Sequence, residues 1–280
     1  VRPALEGVDL AVVPGELVGV VGLTGAGKST LLRAVAGIVP HLIPASVSGG
    51  IHVTGLDPLA GPVGALAGRV GLVLDDPDGQ ISQATVAEEI ALGLESLAVP
   101  WPEMMRRVDE VLAVVGLTGM GDRSPATLSG GEQQRLAIAC AVAMRPSVFL
   151  MDEPAASLDP AGATAVFDLA RRLSNDGGHS VLVADHDVER LAAQADRIVV
   201  LHEGRVVADG PAAEVLGQPG LLADRGIRVP QVTELAARVA HAWPGPAGAR
   251  SEPVSTPLPV TVEAALAWLG NRGGGPEEVR

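Results

Sequence analysis

The chain has 280 residues, enough for one large domain or two small ones at about 150 residues each. A core of that size needs no disulfide or metal staple, and the single cysteine, Cys140, excludes a disulfide framework and any multi-cysteine zinc site. A formal charge of −13 opposes non-specific binding to nucleic acid or to an anionic lipid surface.

Aromatic residues make up only 2% of the chain, so the core must be built from Val, Leu, Ile and Ala. The longest apolar runs, such as 136–144, are about half of the ~20 residues that a membrane helix needs. The start lacks the pattern of a signal peptide. A soluble, intracellular protein is expected.

In chain order, short Val- and Ile-rich runs at 17–21, 69–74, 148–151, 181–184 and 197–201 read as strands covered on both faces. Helical patterns at 28–36, 103–115, 132–144, 161–173 and 187–195 alternate with them, which argues an α/β fold with a mostly parallel sheet. Segments 51–57 and 205–209 read as added antiparallel strands, with a hairpin turn at 203–205. Helix candidates near 85–94 and 103–115 interrupt the strand pattern and predict a helical subdomain inserted over about 77–146. The core domain then covers 1–220 and a helical tail 221–243. Five prolines within 244–259 mark a linker over 244–260, followed by a short amphipathic helix and a disordered end over 261–280. On that last helix Val262, Ala265, Leu266 and Leu269 share one face.

Directly after the first strand and directly before a helix stands GLTGAGKST, residues 22–30. This is the phosphate-loop pattern in its required strand–loop–helix context. Gly22, Gly25 and Gly27 let the backbone curl, so that N–H groups along Gly22, Leu23, Thr24, Gly25, Ala26, Gly27, Lys28, Ser29 and Thr30 can face a polyphosphate. Lys28 is the sole lysine among 20 cationic side chains, a compact charge kept where a guanidinium would not fit. Ser29 can place its hydroxyl on Mg²⁺. The strand at 148–151 ends in Asp152 and Glu153. Asp152 suits a hard cation, and Glu153 suits a base acting on water. LSGGEQQR, 128–135, places Ser129, Gly130, Gly131 and Glu132 at a helix start; alone it reads as an ordinary serine cap.

These strings, with AASLD at 155–159 and VLVADHD at 181–187, stand in the order and spacing of ATP-binding cassette (ABC) ATPases, which the chain resembles over about residues 3–220. The resemblance implies a P-loop NTPase core with an antiparallel β subdomain and an inserted helical subdomain. It implies two cassettes packed head to tail as a homo- or heterodimer, with Mg²⁺ and ATP held by the phosphate loop of one and the signature of the other. Ser129, Gly130, Gly131 and Glu132 would then meet the partner's ATP, Asp159 would organise the seam, and His186 would touch the γ-phosphate. A narrower similarity covers 75–100 and the stretches at 205–216 and 228–239: it is to the ATPase subunits of energy-coupling factor (ECF) transporters, which import vitamins and transition-metal ions. That resemblance implies a cytoplasmic, membrane-peripheral protein with a transmembrane scaffold subunit and a small substrate-binding membrane subunit. Gln80, Glu88 and Glu89 would lie at or near the coupling surface, or simply face solvent. ATPases of conventional ABC transporters, soluble non-transport ABC proteins and non-hydrolysing cassettes are the alternatives.

Two departures stand out. Asp75 occupies the position where the family usually carries Gln; a shorter, charged side chain there can ligate Mg²⁺ and predicts altered metal dependence. Residues 1–21 hold no aromatic on which adenine could stack, which implies a truncated start or an aliphatic seat. Cys140 is expected to be a buried, inert side chain.

Overall fold

The computed structural model describes residues 2–75, 79, 81–242 and 257–272. Gln80, most of the proline-rich stretch and the final residues 273–280 lie outside the described residues.

In chain order the elements are β1 (Leu17–Val21), α1 (Lys28–Val35), α2 (Ile38–His41), β2 (Val70–Val73), α3 (Val86–Ser96) and α4 (Trp101–Val114). Then come α5 (Gly130–Ala143), β3 (Val148–Asp152), α6 (Pro160–Gly177), β4 (Ser180–Ala184), α7 (Val188–Gln194), β5 (Arg197–His202) and β6 (Arg205–Pro211). The chain continues with α8 (Ala212–Leu216), α9 (Pro219–Ala223), α10 (Gln231–Ala242) and α11 (Val262–Arg272). The chain divides into two compact units.

One unit comprises Leu10–Leu17 and Gly27–Ala184. Its strands run parallel in the order β2, β3, β4, with Val70 opposite Val148 and Val148 opposite Ser180. Helix α1 packs on β3 and β4, while α3, α4 and α5 pack on one another and α5 also on β2. The helices start where their sequences provide caps. Thr85 and Glu88 form a reciprocal capping box on α3, Pro102 lies in the first turn of α4, and Asp159 caps α6. On α4 the buried Met104, Val108, Val111 and Leu112 follow helical spacing. Phe149 and Phe167, the chain's two phenylalanines, are both fully buried, and aliphatic side chains fill the rest of the core.

Segment 51–57 is not a strand. Thr54 and Gly55 both take positive φ, and a single antiparallel bridge between Val53 and Leu56 closes a tight turn. Two consecutive left-handed residues make a two-residue hairpin turn, and the pairing stops at that one bridge.

The other unit comprises Val1–Asp9, Val18–Ala26 and Asp185–Arg280. Here β1 pairs with β5 in parallel, and β5 pairs with β6 antiparallel with an irregularity at Val200 and Leu201. Glu203 and Gly204, both at positive φ, make the hairpin turn. The fold is therefore α/β with mixed strand pairings. Helix α8 packs on β5, β6 and α7, and α10 packs on α9 and α11. The face of α11 that carries Val262, Leu266 and Leu269 is exposed, while Trp268 is half-buried.

Candidate functional site

The glycine loop leaves the end of β1 at a place with no room for a side chain. A Cβ on Gly22 would lie 2.4 Å from the Leu201 carbonyl oxygen. The Ala26 N–H donates to the Leu23 carbonyl at 3.0 Å, and the Gly204 N–H donates to the Ala26 carbonyl at 3.0 Å, which pins the loop to the hairpin turn. Helix α1 begins at Lys28 with Gly27, at φ 108, as its cap, and the cap residue offers no side chain to the first-turn N–H groups. An uncapped helix start of this kind, with its dipole, favours an anion. Lys28 is buried at that start.

Strand β3 delivers Asp152, 1% exposed, and neither of its carboxylate oxygens has a hydrogen-bond partner of normal geometry among the described residues. Ser29 and Arg33 lie four residues apart on α1 and so share a face; that helix packs on β3. The Arg33 guanidinium is 4.0 Å from Asp152. Burial is the main cause that pushes the Asp152 carboxyl above its ordinary range. The nearby Ser29 hydroxyl opposes the rise, Asp75 adds to it, Arg33 opposes it and Glu153 adds to it. Orphaned carboxylate oxygens beside a hydroxyl are a hard-oxygen donor set that fits Mg²⁺ shared with phosphates. Among the described residues no group of three or more His, Cys, Asp or Glu side chains could hold a metal.

Glu153 follows at φ 46, half-buried, and its N–H donates to the Ala184 carbonyl at 2.8 Å. Asp75 is exposed just beyond β2. In the other unit the exposed His186 imidazole has Nδ1 3.5 Å from the buried Asp185 carboxylate.

Ser129 and Gly130 are exposed at the start of the 14-residue α5. The serine hydroxyl accepts from the Glu132 N–H at 3.4 Å and donates to the Glu132 carboxylate at 2.8 Å, which also accepts the Ser129 N–H at 2.7 Å. That backbone bond, then the hydroxyl, holds the Glu132 carboxyl below its ordinary value. Gly131 packs within contact of Leu158. The Asp159 carboxylate accepts the Gly162 N–H at 2.6 Å, so its local work is to cap α6.

Glu88 is exposed and completes the α3 capping box. Glu89 does not face solvent: it is buried, and its carboxylate accepts the Ser82 and Gln83 N–H groups at 2.7 and 2.6 Å. Burial, reinforced by Glu89, pushes the Cys140 thiol up to about 12, which leaves it inert. Sequence reasoning missed Arg33; the signal that could have found it is its four-residue spacing from Ser29.

A parallel-stranded α/β fold with a glycine loop opening a helix, and a buried aspartate ending another strand beside that helix, defines a P-loop nucleotide-binding protein. Residues 5–156 match the family model for ABC transporters. The energy-coupling factor transporter ATP-binding protein EcfA1 of Lacticaseibacillus paracasei is 40% identical over 234 residues, covering 84% of this chain and 82% of its own. The solved structure of cbiO1 from Clostridium perfringens, part of the ABC transporter complex cbiONQ, superposes with a TM-score of 0.69 at 30% identity over 83% of this chain and 91% of that one. An ATP-binding cassette solved as a dimer in a post-hydrolysis state with ADP and Pi gives 0.67 at 26% identity, over 75% and 90%. The chain belongs to the ABC transporter ATP-binding family, whose cassettes hydrolyse ATP. Some relatives are much longer: the chain spans 42% of one from Caldanaerobacter subterraneus subsp. tengcongensis, at 38% identity over 240 residues, 86% of this chain.

Proposed function

We propose that this chain is the ATP-hydrolysing subunit of an ABC-type importer of the ECF class, working as one of a pair of cassettes on a separate membrane scaffold. The observation that carries the chemistry is the buried Asp152 carboxylate, without a hydrogen-bond partner of normal geometry among the described residues and beside the helix that opens with Lys28 and Ser29. The 40% identity with EcfA1 over most of both chains supports the ECF class, and the likeness to cbiO1 adds to it.

Residues Gly22 to Thr30 cradle the phosphates, and Lys28 neutralises the charge on the β- and γ-phosphates. Ser29 and Asp152 would hold Mg²⁺, with Asp75 as an added carboxylate; the bound metal offsets the phosphate charge that builds up at transfer. Glu153 orients the attacking water and takes its proton. His186 donates a hydrogen bond to the γ-phosphate. Ser129, Gly130 and Gly131 present the start of α5 to the nucleotide of the paired cassette, with Glu132 holding that turn, and Asp159 stands at the seam. Because such catalysis is mainly positioning and charge stabilisation, closure of the pair is the step that assembles the site.

The transported solute, a vitamin or a transition-metal ion, is recognised by a small membrane subunit. This chain sits at the cytoplasmic face; no helix among the described residues is long and apolar enough to cross a membrane. Replacing Glu153 by Gln should lower ATP turnover by roughly 10²–10⁴ while leaving ATP binding intact. Equal turnover in an ATPase assay would overturn the assignment of the base.

A further inference from the structure

A carboxylate removed from water with no hydrogen bond of normal geometry on either oxygen, only a hydroxyl nearby, is costly unless a positive charge stands beside it. Asp152 is 1% exposed and is in that position. Its acidic neighbours, Asp75 and Glu153, raise the cost further. Arg33 is a cationic partner that the fold provides, at 4.0 Å. Its side chain is 32% exposed, so water screens the pair only in part. The separation exceeds hydrogen-bonding distance, so Arg33 acts on Asp152 as a charge and not as a bidentate clamp.

We propose that Arg33 is a positioning residue, the resident counter-charge of Asp152, which holds the buried carboxylate in place until the metal of a bound nucleotide takes over. The inference rests on the reading of Asp152 as the metal-side carboxylate. Its physical content is a competition. Before metal arrives, Arg33 offsets a buried negative charge. Once a divalent ion sits on Asp152, the same guanidinium repels that ion. Loss of the charge should therefore destabilise the metal-free protein and tighten its hold on the metal. A purely structural role for Arg33 would weaken both.

The experiment uses the full chain in three forms: wild type, Arg33→Gln and Arg33→Lys. Thermal unfolding is followed in chelator without nucleotide, and Mn²⁺ binding is titrated by electron paramagnetic resonance with a non-hydrolysable ATP analogue present. Arg33→Gln should melt several degrees lower without metal and bind Mn²⁺ several-fold more tightly. Arg33→Lys, which keeps the charge, should restore much of both. In an Asp152→Asn background, Arg33→Gln should no longer lower the metal-free melting temperature, which separates lost charge from lost packing. If Arg33→Gln leaves metal-free stability unchanged, or moves stability and Mn²⁺ affinity in the same unfavourable direction, the inference is wrong. If wild type binds Mn²⁺ no better than Asp152→Asn, the reading of Asp152 itself fails, whatever Arg33 does.

Discussion

Glu153 holds a backbone conformation that its side chain disfavours. At φ 46 it lies in the left-handed region, and its N–H is fixed to the Ala184 carbonyl at the end of β4. A residue with a Cβ there costs about 1–2 kcal/mol relative to glycine, part of which glycine returns as greater freedom in the unfolded chain. Glu153→Gly should therefore raise the unfolding free energy by about 0.5–1 kcal/mol while abolishing ATP turnover, a trade found where strain serves function. Urea denaturation read beside an ATPase assay checks it, and a loss of stability would show that the carboxylate itself holds the turn. The contrast with Arg33 explains what a sequence reveals about this site. Lys28, Ser29, Asp152 and Glu153 sit in contiguous strings whose order alone suggests their chemistry. Arg33 is harder to see, because nothing in LLRAVAG separates an inward arginine from a solvated one and its only sequence signal is the four-residue spacing that puts it on the face of Ser29.

Among the elements, strands were the more legible. The continuous apolar runs at 17–21 and 148–151 read as covered on both faces, and β1 and β3 are fully or almost fully buried. Segment 51–57 misled because its alternation of IHV is too short to outweigh a Thr54–Gly55 turn. Glu89 misled because a charged residue beside Glu88 on a helix suggests a solvated face, whereas its carboxylate is consumed by two loop N–H groups. Helix α4 shows charge used differently, on the surface. Glu103 accepts from Arg106 and from Arg107 at 2.7 Å, and Arg107 in turn reaches the Ala143 carbonyl at the end of α5 at 3.4 Å. Arg107 first and then Arg106 hold the Glu103 carboxyl at about 2 instead of 4.5. Its folded pKa is depressed, so its contribution is present above 4.5 and is lost as the pH falls through that range toward 2. The melting-temperature deficit of Glu103→Gln should be small at pH 7, because the half-buried group stays in reach of solvent screening. It should shrink toward zero between pH 4.5 and 2. A deficit that stays constant with pH would mean that packing of the side chain matters and its charge does not.

At the scale of the molecule, proline content marked 244–260 as linker, yet residues 258–260 are built into the unit that holds Gly22–Ala26. Leu258 and Val260 are buried, the Leu258 N–H donates to the Gly217 carbonyl at 3.1 Å, and the fully buried Thr233 hydroxyl donates to the Pro259 carbonyl at 2.7 Å. The strap fits against Gly217 with no space for a side chain, since a Cβ there would lie 2.7 Å from the Leu258 oxygen. Composition could not show this, because proline lacks only the donor, and the carbonyl of Pro259 remains free to accept from α10. Two substitutions test whether the strap is a structural member. Leu258→Ala removes buried methyl groups at a cost of about 2–3 kcal/mol. Thr233→Val leaves the Pro259 carbonyl unsatisfied at a cost of about 1–3 kcal/mol. Each change loosens the segment that the other one holds, so the double variant should lose less than the sum of the two. Denaturant unfolding of the four forms measures this directly. Strict additivity would mean that Leu258 and Thr233 stabilise the unit independently, and that the strap does not dock as one piece.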